Sequence, residues 1–313
     1  MKKRIWTALI VIYLAWGSTY LAIHYAVQSI PPFFMTGTRF LVAGSFLYIW
    51  RRLAGDPAPT IAQWRSGIII GNLLLLGGIG GVSWAEQYVP SGIAALVVAA
   101  TPLWIVLIEA LRPGGNRPSK LTIMGVVTGL AGIIILIEPW KASGTAESNN
   151  MLGVIVLLLA ALSWAAGSVY SHSAGLPKSA LLGTGIELLA GSAGSFLAGL
   201  ASGEAGQLHL ASITPGSLAG LAYLIVVGSL IGFVCYTWLL KAAPTTLVVT
   251  YAYVNPLVAV LLGSVLAQEV LSPQVLVAAS LILSAVILIQ AKKAEKKMES
   301  EPMLSMAESG GED

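Results

Sequence analysis

Long apolar runs recur along the whole chain and are separated by short polar segments. Most of these runs are about 18 to 24 residues long, the length that a helix needs to cross the hydrocarbon core of a bilayer. The composition agrees, because 56% of the 313 residues are hydrophobic and only 10% are charged. In a typical soluble domain about 25% of the residues are charged. The sequence therefore predicts an all-α integral membrane protein.

The apolar runs predict ten transmembrane helices joined by short connections. The start of the chain is too long and too polar for a cleaved signal peptide, since it carries Tyr20 and His24, so its apolar run is predicted to be the first helix. Residues 292–313 are charged and lack an apolar face, which predicts a disordered tail. The predicted spans are Ile5–Ile23, Phe33–Trp50, Ser66–Glu86, Ser91–Leu111, Lys120–Ile137, Met151–Tyr170, Ala180–Leu200, Gly216–Leu240, Thr245–Ala267 and Pro273–Gln290.

Lysine and arginine residues fall almost entirely on one side of these spans. With the N-terminus in the cytoplasm, fifteen cations lie on the cytoplasmic side, Lys141 alone lies on the other side, and Arg39 lies within a span. Cytoplasmic loops of membrane proteins are enriched in Lys and Arg. We therefore expect a multi-pass protein of the cytoplasmic (inner) membrane with both termini in the cytoplasm.

The two halves of the chain resemble each other. The segment "TGTRFL" (36–41) matches "TGIELL" (184–189), and "WGSTY" (16–20) matches "WAAGSVY" (164–170). Five spans per half is an odd number, so the second half must insert upside down, an arrangement typical of secondary transporters. We expect a first repeat over 1–138 and a second over 150–291. Three further matches lie 154 positions apart: Trp84 with Trp238, Pro90 with Pro244, and Pro102 with Pro256.

Several polar or aromatic residues lie near the middle of predicted spans, where unpartnered polar groups are tolerated only against protein or water. In an inverted repeat the substrate site lies near the midplane between the halves, so we expect these residues to line a central cavity. The alternative is that they pack between helices. The candidates are Trp16, Asn72, Thr101, Trp164, Tyr251, Tyr253 and Asn255.

Two prolines and two charges complete the candidate set. Pro102 and Pro256 are predicted to bend the fourth and ninth helices, because proline removes a backbone donor. Arg39 and Glu187 are the deepest charges and occupy matched repeat positions. A charge at this depth has either a structural or gating role, or contacts substrate or proton directly.

Other classes of protein find little support. Cys235 is the sole cysteine, which excludes an intramolecular disulfide, and no metal or cofactor motif is present. No basic patch interleaved with aromatic residues indicates nucleic-acid binding. The expected partners are the lipid bilayer and a small-molecule substrate, and the oligomeric state is left open.

The motifs "WGSTY", "PPFFMTGTRFLVAG", "VPSGIAALVVAATPL" and "YAYVNPLVAVLLG" resemble the EamA family of the drug/metabolite transporter superfamily. The likeness extends to about Gln290, and it implies ten helices in two EamA repeats that export small metabolites or drugs through a central cavity. It also implies that Arg39 matches an arginine common in the family's second helix, and Glu269 a glutamate that often ends the ninth. The first repeat departs from the pattern, because Glu109 is out of register with the corresponding glutamate.

The function expected from these features is alternating-access export of small uncharged or zwitterionic solutes, such as amino-acid-like metabolites, or of drugs. A phosphorylated-solute or nucleotide-sugar exchanger is the alternative within transport, although polyanions need several cationic donors and Arg39 is the only cation inside a span. A membrane-embedded enzyme is the alternative outside transport. It lacks support, because no P-loop, HExxH or CxxC motif is present. Substrate identity and energy coupling are left open.

Overall fold

A computed structural model describes residues 2–112, 118–137, 145–243, 245–248 and 250–289. These residues form helices and turns, with no strand among them. The predicted all-helical class is thereby confirmed. The tail 292–313, both chain ends and residue 138 at the first repeat's boundary lie outside the described residues. The long helices are α1 Lys2–Ala26, α2 Pro32–Leu53, α3 Ile61–Ala85, α4 Ser91–Leu111, α5 Lys120–Ile137, α6 Thr145–Ser171, α7 Ala180–Ala201, α8 Pro215–Ala242, α9 Tyr251–Leu266 and α10 Pro273–Ile289.

Six of these helices are long and apolar enough to cross a membrane: α1, α3, α4, α6, α7 and α8. Helices α5, α9 and α10 are apolar but contribute shorter apolar stretches. Helix α2 has 22 residues, and its polar content includes Arg39 and, in its last turn, Arg51 and Arg52. The predicted count of ten spans is therefore supported only as far as these six.

Helix α4 is interrupted at the predicted proline. Its first segment ends at Val98, a turn follows, and the second segment begins at Thr101. Pro102 has no N–H to donate to the carbonyl of Val98. The Thr101 hydroxyl donates to that carbonyl instead, at 2.6 Å, so the freed backbone group keeps a partner.

The predicted span Thr245–Ala267 is likewise not one helix. A short helix, Thr245–Val248, precedes α9, and Thr250 forms a turn between them. The Thr250 hydroxyl donates to the carbonyl of Leu247 at 2.5 Å, and its oxygen also contacts the Tyr13 hydroxyl of α1. The side chains of Thr250 and Tyr13 therefore tie this break to the first helix.

Two helices contain wide π-helical turns at related positions of the two halves. Helix α3 is π-helical over Asn72–Gly80, and α8 over Leu224–Ile231. The segments overlap when the halves are aligned at the offset of the Trp84 and Trp238 pair. Such π segments are rare in proteins and occur frequently at functional sites.

Helices from the two halves pack closely through glycines. Gly44 of α2 lies against Leu188 of α7, so closely that a side chain at position 44 would overlap the α7 backbone. Gly71 of α3 meets the backbone carbonyl of Glu187 on the same helix α7. Small residues let helix backbones approach in this way, which is how membrane helices associate without a hydrophobic driving force between them.

One end of the bundle is held by carboxylates, and we call it the capped end. It carries the connections α1–α2, α3–α4, α7–α8 and α9–α10, which hydrogen bonds link to one another. After α7, the carboxyl of Glu204 accepts the backbone N–H groups of Phe33 and Phe34, at 3.0 and 3.1 Å, in the first turn of α2. Burial raises the pKa of Glu204, and these backbone N–H groups offset part of that rise.

Glu269, in the connection after α9, caps the first turn of α4 in the same way. Its carboxyl accepts the Ser91 N–H and hydroxyl, each at 2.7 Å, and the Gly92 N–H at 3.0 Å. Negative charge at a helix N-terminus is favoured, because the first N–H groups lack partners within the helix. The capped end also has the Tyr25 hydroxyl donating to the carbonyl of Leu266 at 2.9 Å. These contacts close this end between the first and second halves.

Candidate functional site

An aromatic cluster lies where α1, α8 and α9 meet. The Trp16 ring contacts Tyr251 and Tyr236, with ring centroids 5.0 and 5.1 Å apart, and Phe233 at 5.7 Å. The Tyr236 and Tyr251 rings are 5.9 Å apart and nearly perpendicular. Edge-to-face geometry suits these rings, and faces left uncovered by such packing attract apolar groups and cations.

The π segment of α8 offers two polar groups beside this cluster. The carbonyl of Gly228 accepts the Trp16 indole N–H at 3.1 Å, and the next residue, Ser229, accepts the Nε–H of Arg39 at 2.9 Å. A side chain at Gly228 would crowd the Arg39 guanidinium. The glycine therefore lets Arg39 reach the Trp16 cluster from α2.

Arg39 is only 3% exposed, and its Nη1 has no hydrogen-bond partner. Within the described residues no carboxylate forms an ion pair with Arg39. A buried guanidinium with free N–H groups is a strong donor to a carboxylate or phosphate. Arg39 thus presents an unused anion-binding group next to an aromatic surface.

Asn255 is also buried, at 8% exposure, and its Oδ1 has no partner. Its backbone carbonyl faces Gly17, the residue after Trp16 on α1. Pro256 is buried inside α9, one residue further along. The side chain of Tyr253 lies outside the described part of the chain. Buried polar atoms are nearly always hydrogen-bonded, so the Oδ1 atom calls for a partner that this conformation does not supply.

Two other candidates, Trp164 of the second half and Asn72 of the first, are placed differently. Trp164 of α6 packs on Gly78 in the π segment of α3, and a side chain at Gly78 would overlap the indole. Asn72 donates to the carbonyl of Ile68 at 2.8 Å, and its Oδ1 faces Gly194 of α7. Trp164 and Asn72 therefore lie in helix interfaces and not beside Trp16.

The remaining candidates stand apart from the Trp16 cluster. Thr101 is partly buried, and its hydroxyl bonds within α4. Glu187 is partly buried on α7, where its own carbonyl meets Gly71 of α3. No ion pair joins Glu187 to Arg39 in the described residues. The structure thus brings together Trp16, Arg39, Tyr251 and Asn255 from the predicted set.

Four residues of this site were absent from the sequence prediction: Gly228, Ser229, Phe233 and Tyr236. The stretch "VVGSLIGFVCY" holds all of them, and its two glycines and serine interrupt a strongly apolar run. That interruption was the available signal. It could not show which helix the glycines would face, because the contact with α1 and α2 is made only in the folded bundle.

The described residues contain no group of three or more His, Cys, Asp or Glu side chains arranged to hold a metal ion. Cys235 is a free thiol, and it lines a shallow, mostly apolar groove between α1 and α8 with Lys3, Arg4 and Trp238. This groove lies at the end of the bundle opposite the capped end.

The sequence profile of the EamA-like transporter family matches residues 4–138 and again residues 151–291. The chain belongs to the EamA-like transporter family. The two matches of this EamA protein correspond to its two halves and together cover most of its length.

Two of three relatives of this EamA protein are named as transporters. It is 40% identical over 287 residues to the uncharacterized inner membrane transporter YedA of Escherichia coli, covering 91% of this chain and 90% of that one. It is 28% identical over 281 residues to protein PecM of Dickeya dadantii, with 88% of each chain covered. It is 22% identical over 295 residues to the uncharacterized transporter YvbV of Bacillus subtilis, with 93% of each covered. The EamA protein is thus similar to one named inner membrane transporter over about nine tenths of its length.

One crystal structure superposes on this EamA protein with a TM-score of 0.60 and 22% identity, covering 90% of this chain and 97% of the other. At this identity the likeness concerns the fold alone. It shows that the arrangement of these helices occurs in a second protein along nearly its whole length.

Proposed function

We propose that this chain is a secondary transporter that exports small metabolites, or drugs, across the cytoplasmic membrane by alternating access. It crosses the membrane ten times as two inverted repeats of five helices, over 1–138 and 150–291. Both termini and the tail 292–313 lie in the cytoplasm, as the distribution of Lys and Arg favours. In this orientation the capped end faces outwards.

The observation that carries the proposal is a reciprocal exchange between the halves. Trp16 of the first half packs on Gly232 of the second, and Trp164 of the second packs on Gly78 of the first. The two tryptophans and the two glycines are pairs of repeat-related residues. Each half thus packs on the other through the same tryptophan–glycine contact. This is expected of inverted repeats that rock against each other around a central site.

The substrate class follows from the groups left without partners. Arg39 Nη1 donates to a carboxylate, Asn255 Oδ1 accepts from an ammonium or amide, and the rings of Trp16, Tyr236 and Tyr251 cover an apolar or cationic substituent. A small zwitterionic or amino-acid-like solute combines these features. Uncharged solutes would use the rings and Asn255.

A phosphorylated solute or a nucleotide sugar remains the alternative within transport. It would need several cationic donors around its phosphates. Arg39 is the only Lys or Arg that is buried among the described residues, which favours a single negative charge on the substrate.

The test is counterflow in liposomes that contain the purified full-length chain. Vesicles are loaded with one unlabelled solute of a panel that includes amino acids, sugar phosphates and nucleotide sugars, and uptake of the same labelled solute is followed. We expect labelled zwitterionic or uncharged solutes to accumulate unchanged, and Arg39→Ala vesicles to accumulate much less. Accumulation of phosphorylated solutes alone would establish the alternative, and chemical conversion of a solute would indicate an enzyme.

A further inference from the structure

A buried carboxyl group at the capped end takes no part in the proposed transport site. Glu86 follows the last residue of α3, it is only 2% exposed, and neither of its carboxyl oxygens has a hydrogen-bond partner. An ionised carboxylate buried without a partner is strongly destabilised, because it loses its hydration and gains nothing in return. Glu86 in this conformation is therefore accommodated as the neutral acid.

The titratable groups placed beside Glu86 come from two elements, helix α1 and the connection after α9. Tyr20 and His24 lie on α1. The backbone N–H of His24 approaches the Glu86 carboxyl but does not reach hydrogen-bond geometry. Glu269, which follows α9, is within electrostatic range of Glu86 while its carboxylate holds the first turn of α4. A second negative charge at Glu86 would be repelled by Glu269. His24 Nδ1 is also buried without a partner.

A proton suits this place better than a metal ion. Among the described residues, no lysine or arginine forms an ion pair with Glu86, and no cluster of three potential metal ligands exists. A proton needs only the carboxyl itself and abolishes the charge that burial penalises.

We propose that Glu86 is a proton-binding site, loaded from the outer side as the capped end closes. This inference rests on the proposed export function. When helices α1, α4 and α9 separate at this end, water reaches Glu86 and it ionises. Closing removes the water, so the carboxylate must take up a proton from the outer solution and become the neutral acid. A low outer pH would then favour the return of the empty transporter from its outward-open state.

Infrared spectroscopy of the purified full-length chain tests the proton site directly. Near neutral pH, the difference spectrum between wild type and Glu86→Gln should contain the C=O stretching band of one protonated carboxylic acid. Glu204→Gln is the control, because that carboxyl at the same end accepts two backbone N–H groups; its difference spectrum should lack that band. If Glu86→Gln does not fold, Glu86→Asp should shift the band. An unchanged band in Glu86→Gln, or in Glu86→Asp if that variant must be used, would overturn the proposal.

A cysteine at Val260 tests whether this proton controls closure. Val260 of α9 lies against Gly92 in the first turn of α4. In a Cys235→Ala background, its labelling by a water-soluble thiol reagent is divided by the labelling of an exposed Ser212→Cys control, which removes the effect of thiol ionisation. We expect the ratio to rise with outer pH by up to about tenfold per pH unit, the limit for one proton. With Glu86→Gln the ratio should stay low and independent of pH.

Equal pH slopes with and without Glu86→Gln would show that protonation of Glu86 does not control the capped end. Neither experiment uses a transported solute, so both remain informative if the panel in the counterflow assay fails. Conversely, counterflow by wild type together with a missing infrared band would overturn the proton site and leave the transport function standing.

Discussion

At the scale of single residues, two buried polar atoms without partners define the centre of this protein. The two atoms are Arg39 Nη1 and Asn255 Oδ1. Arg39 reaches from α2 to Ser229, next to the carbonyl of Gly228 that accepts the Trp16 indole N–H, and the backbone of Asn255 on α9 faces Gly17 of α1. Leaving such atoms unpaired is costly. The two unpaired atoms beside an aromatic cluster are understandable if a substrate or water forms hydrogen bonds with them during transport.

Arg39→Ala is expected to lower transport about 10- to 100-fold, because a hydrogen bond to a charged group contributes about 1.5–3 kcal/mol. Ser229→Ala, which removes the acceptor of the Arg39 Nε–H, should have a smaller effect in the same direction. The counterflow assay measures both, and the amount of protein in the membrane fraction shows whether insertion is intact. Arg51→Ala is the matched control, since that cation pairs with Asp56 outside the site.

Glu187 is expected to matter as well, since its position matches that of Arg39 in the repeat. Glu187→Ala should lower transport without preventing insertion. The double variant shows whether the two residues are coupled, because independent effects multiply. Wild-type transport by both single variants would contradict a role for these charges.

Asn255→Cys in a Cys235→Ala background is expected to react with a small water-soluble thiol reagent. Position 255 is buried in the described conformation, so labelling reports a second conformation in which the cavity opens. Saturating substrate should slow the reaction. Leu261→Cys, on an exposed and lipid-facing part of α9, is the control and should stay unlabelled. An unreactive position 255 in a protein that still transports would place the site elsewhere.

At the scale of helices, the paired π segments of α3 and α8 carry the contact between the halves. A glycine within or directly after each π segment packs against a tryptophan of the other half. On α8 the glycine, Gly232, follows the π segment directly, whereas on α3 it lies inside. A wide turn displaces the backbone, and a missing side chain lets a bulky ring approach.

Gly78→Ala and Gly232→Ala are expected to destabilise the protein by similar amounts, about 1–3 kcal/mol each, because the added methyl group overlaps an indole. Gly216→Ala, on the same helix as Gly232 but with open space around it, should have little effect. Thermal unfolding of the purified variants measures the difference. Midpoints for both variants equal to that of Gly216→Ala would show that these contacts are loose.

At the scale of the whole molecule, the cross-links between halves are concentrated at the capped end. Glu204, Glu269 and Tyr25 each join elements that are far apart in sequence. In a carrier that alternates between two sides, such a set of bonds must break when that end opens. The described conformation is thus closed at the capped end.

Reporter fusions test the orientation on which the outward direction of the capped end depends. Fusions at Met1 and Asp313 should both report the cytoplasm, and a fusion in the connection between α7 and α8, after Ser212, should report the outside. The physical reason is the Lys and Arg bias, which favours the cytoplasm for the terminal segments. A terminus on the outer side would contradict the ten-span arrangement.

Local sequence was enough to predict the class of this protein, because hydrophobic length and helical hydrogen bonding are properties of a single segment. The helix break before Pro102 could be anticipated in the same way, since a missing N–H acts on its own turn. The match of Trp16 with Trp164 was also visible as a repeat. The sequence predicted ten spans, whereas the length and hydropathy of the folded helices support six, because α2, α5, α9 and α10 are too short or too polar to be counted in that way.

Tertiary structure decided which residues meet. From sequence, Trp16, Asn72 and Trp164 were equivalent candidates for one cavity, yet the fold places Trp16 with Arg39 and Tyr251 and puts the other two in helix interfaces. The residues that complete the Trp16 cluster, Ser229 and Tyr236, come from α8, about two hundred positions away in the chain. Such contacts depend on how ten helices rotate and cross in packing, and the hydrophobic pattern of one helix does not specify its neighbour.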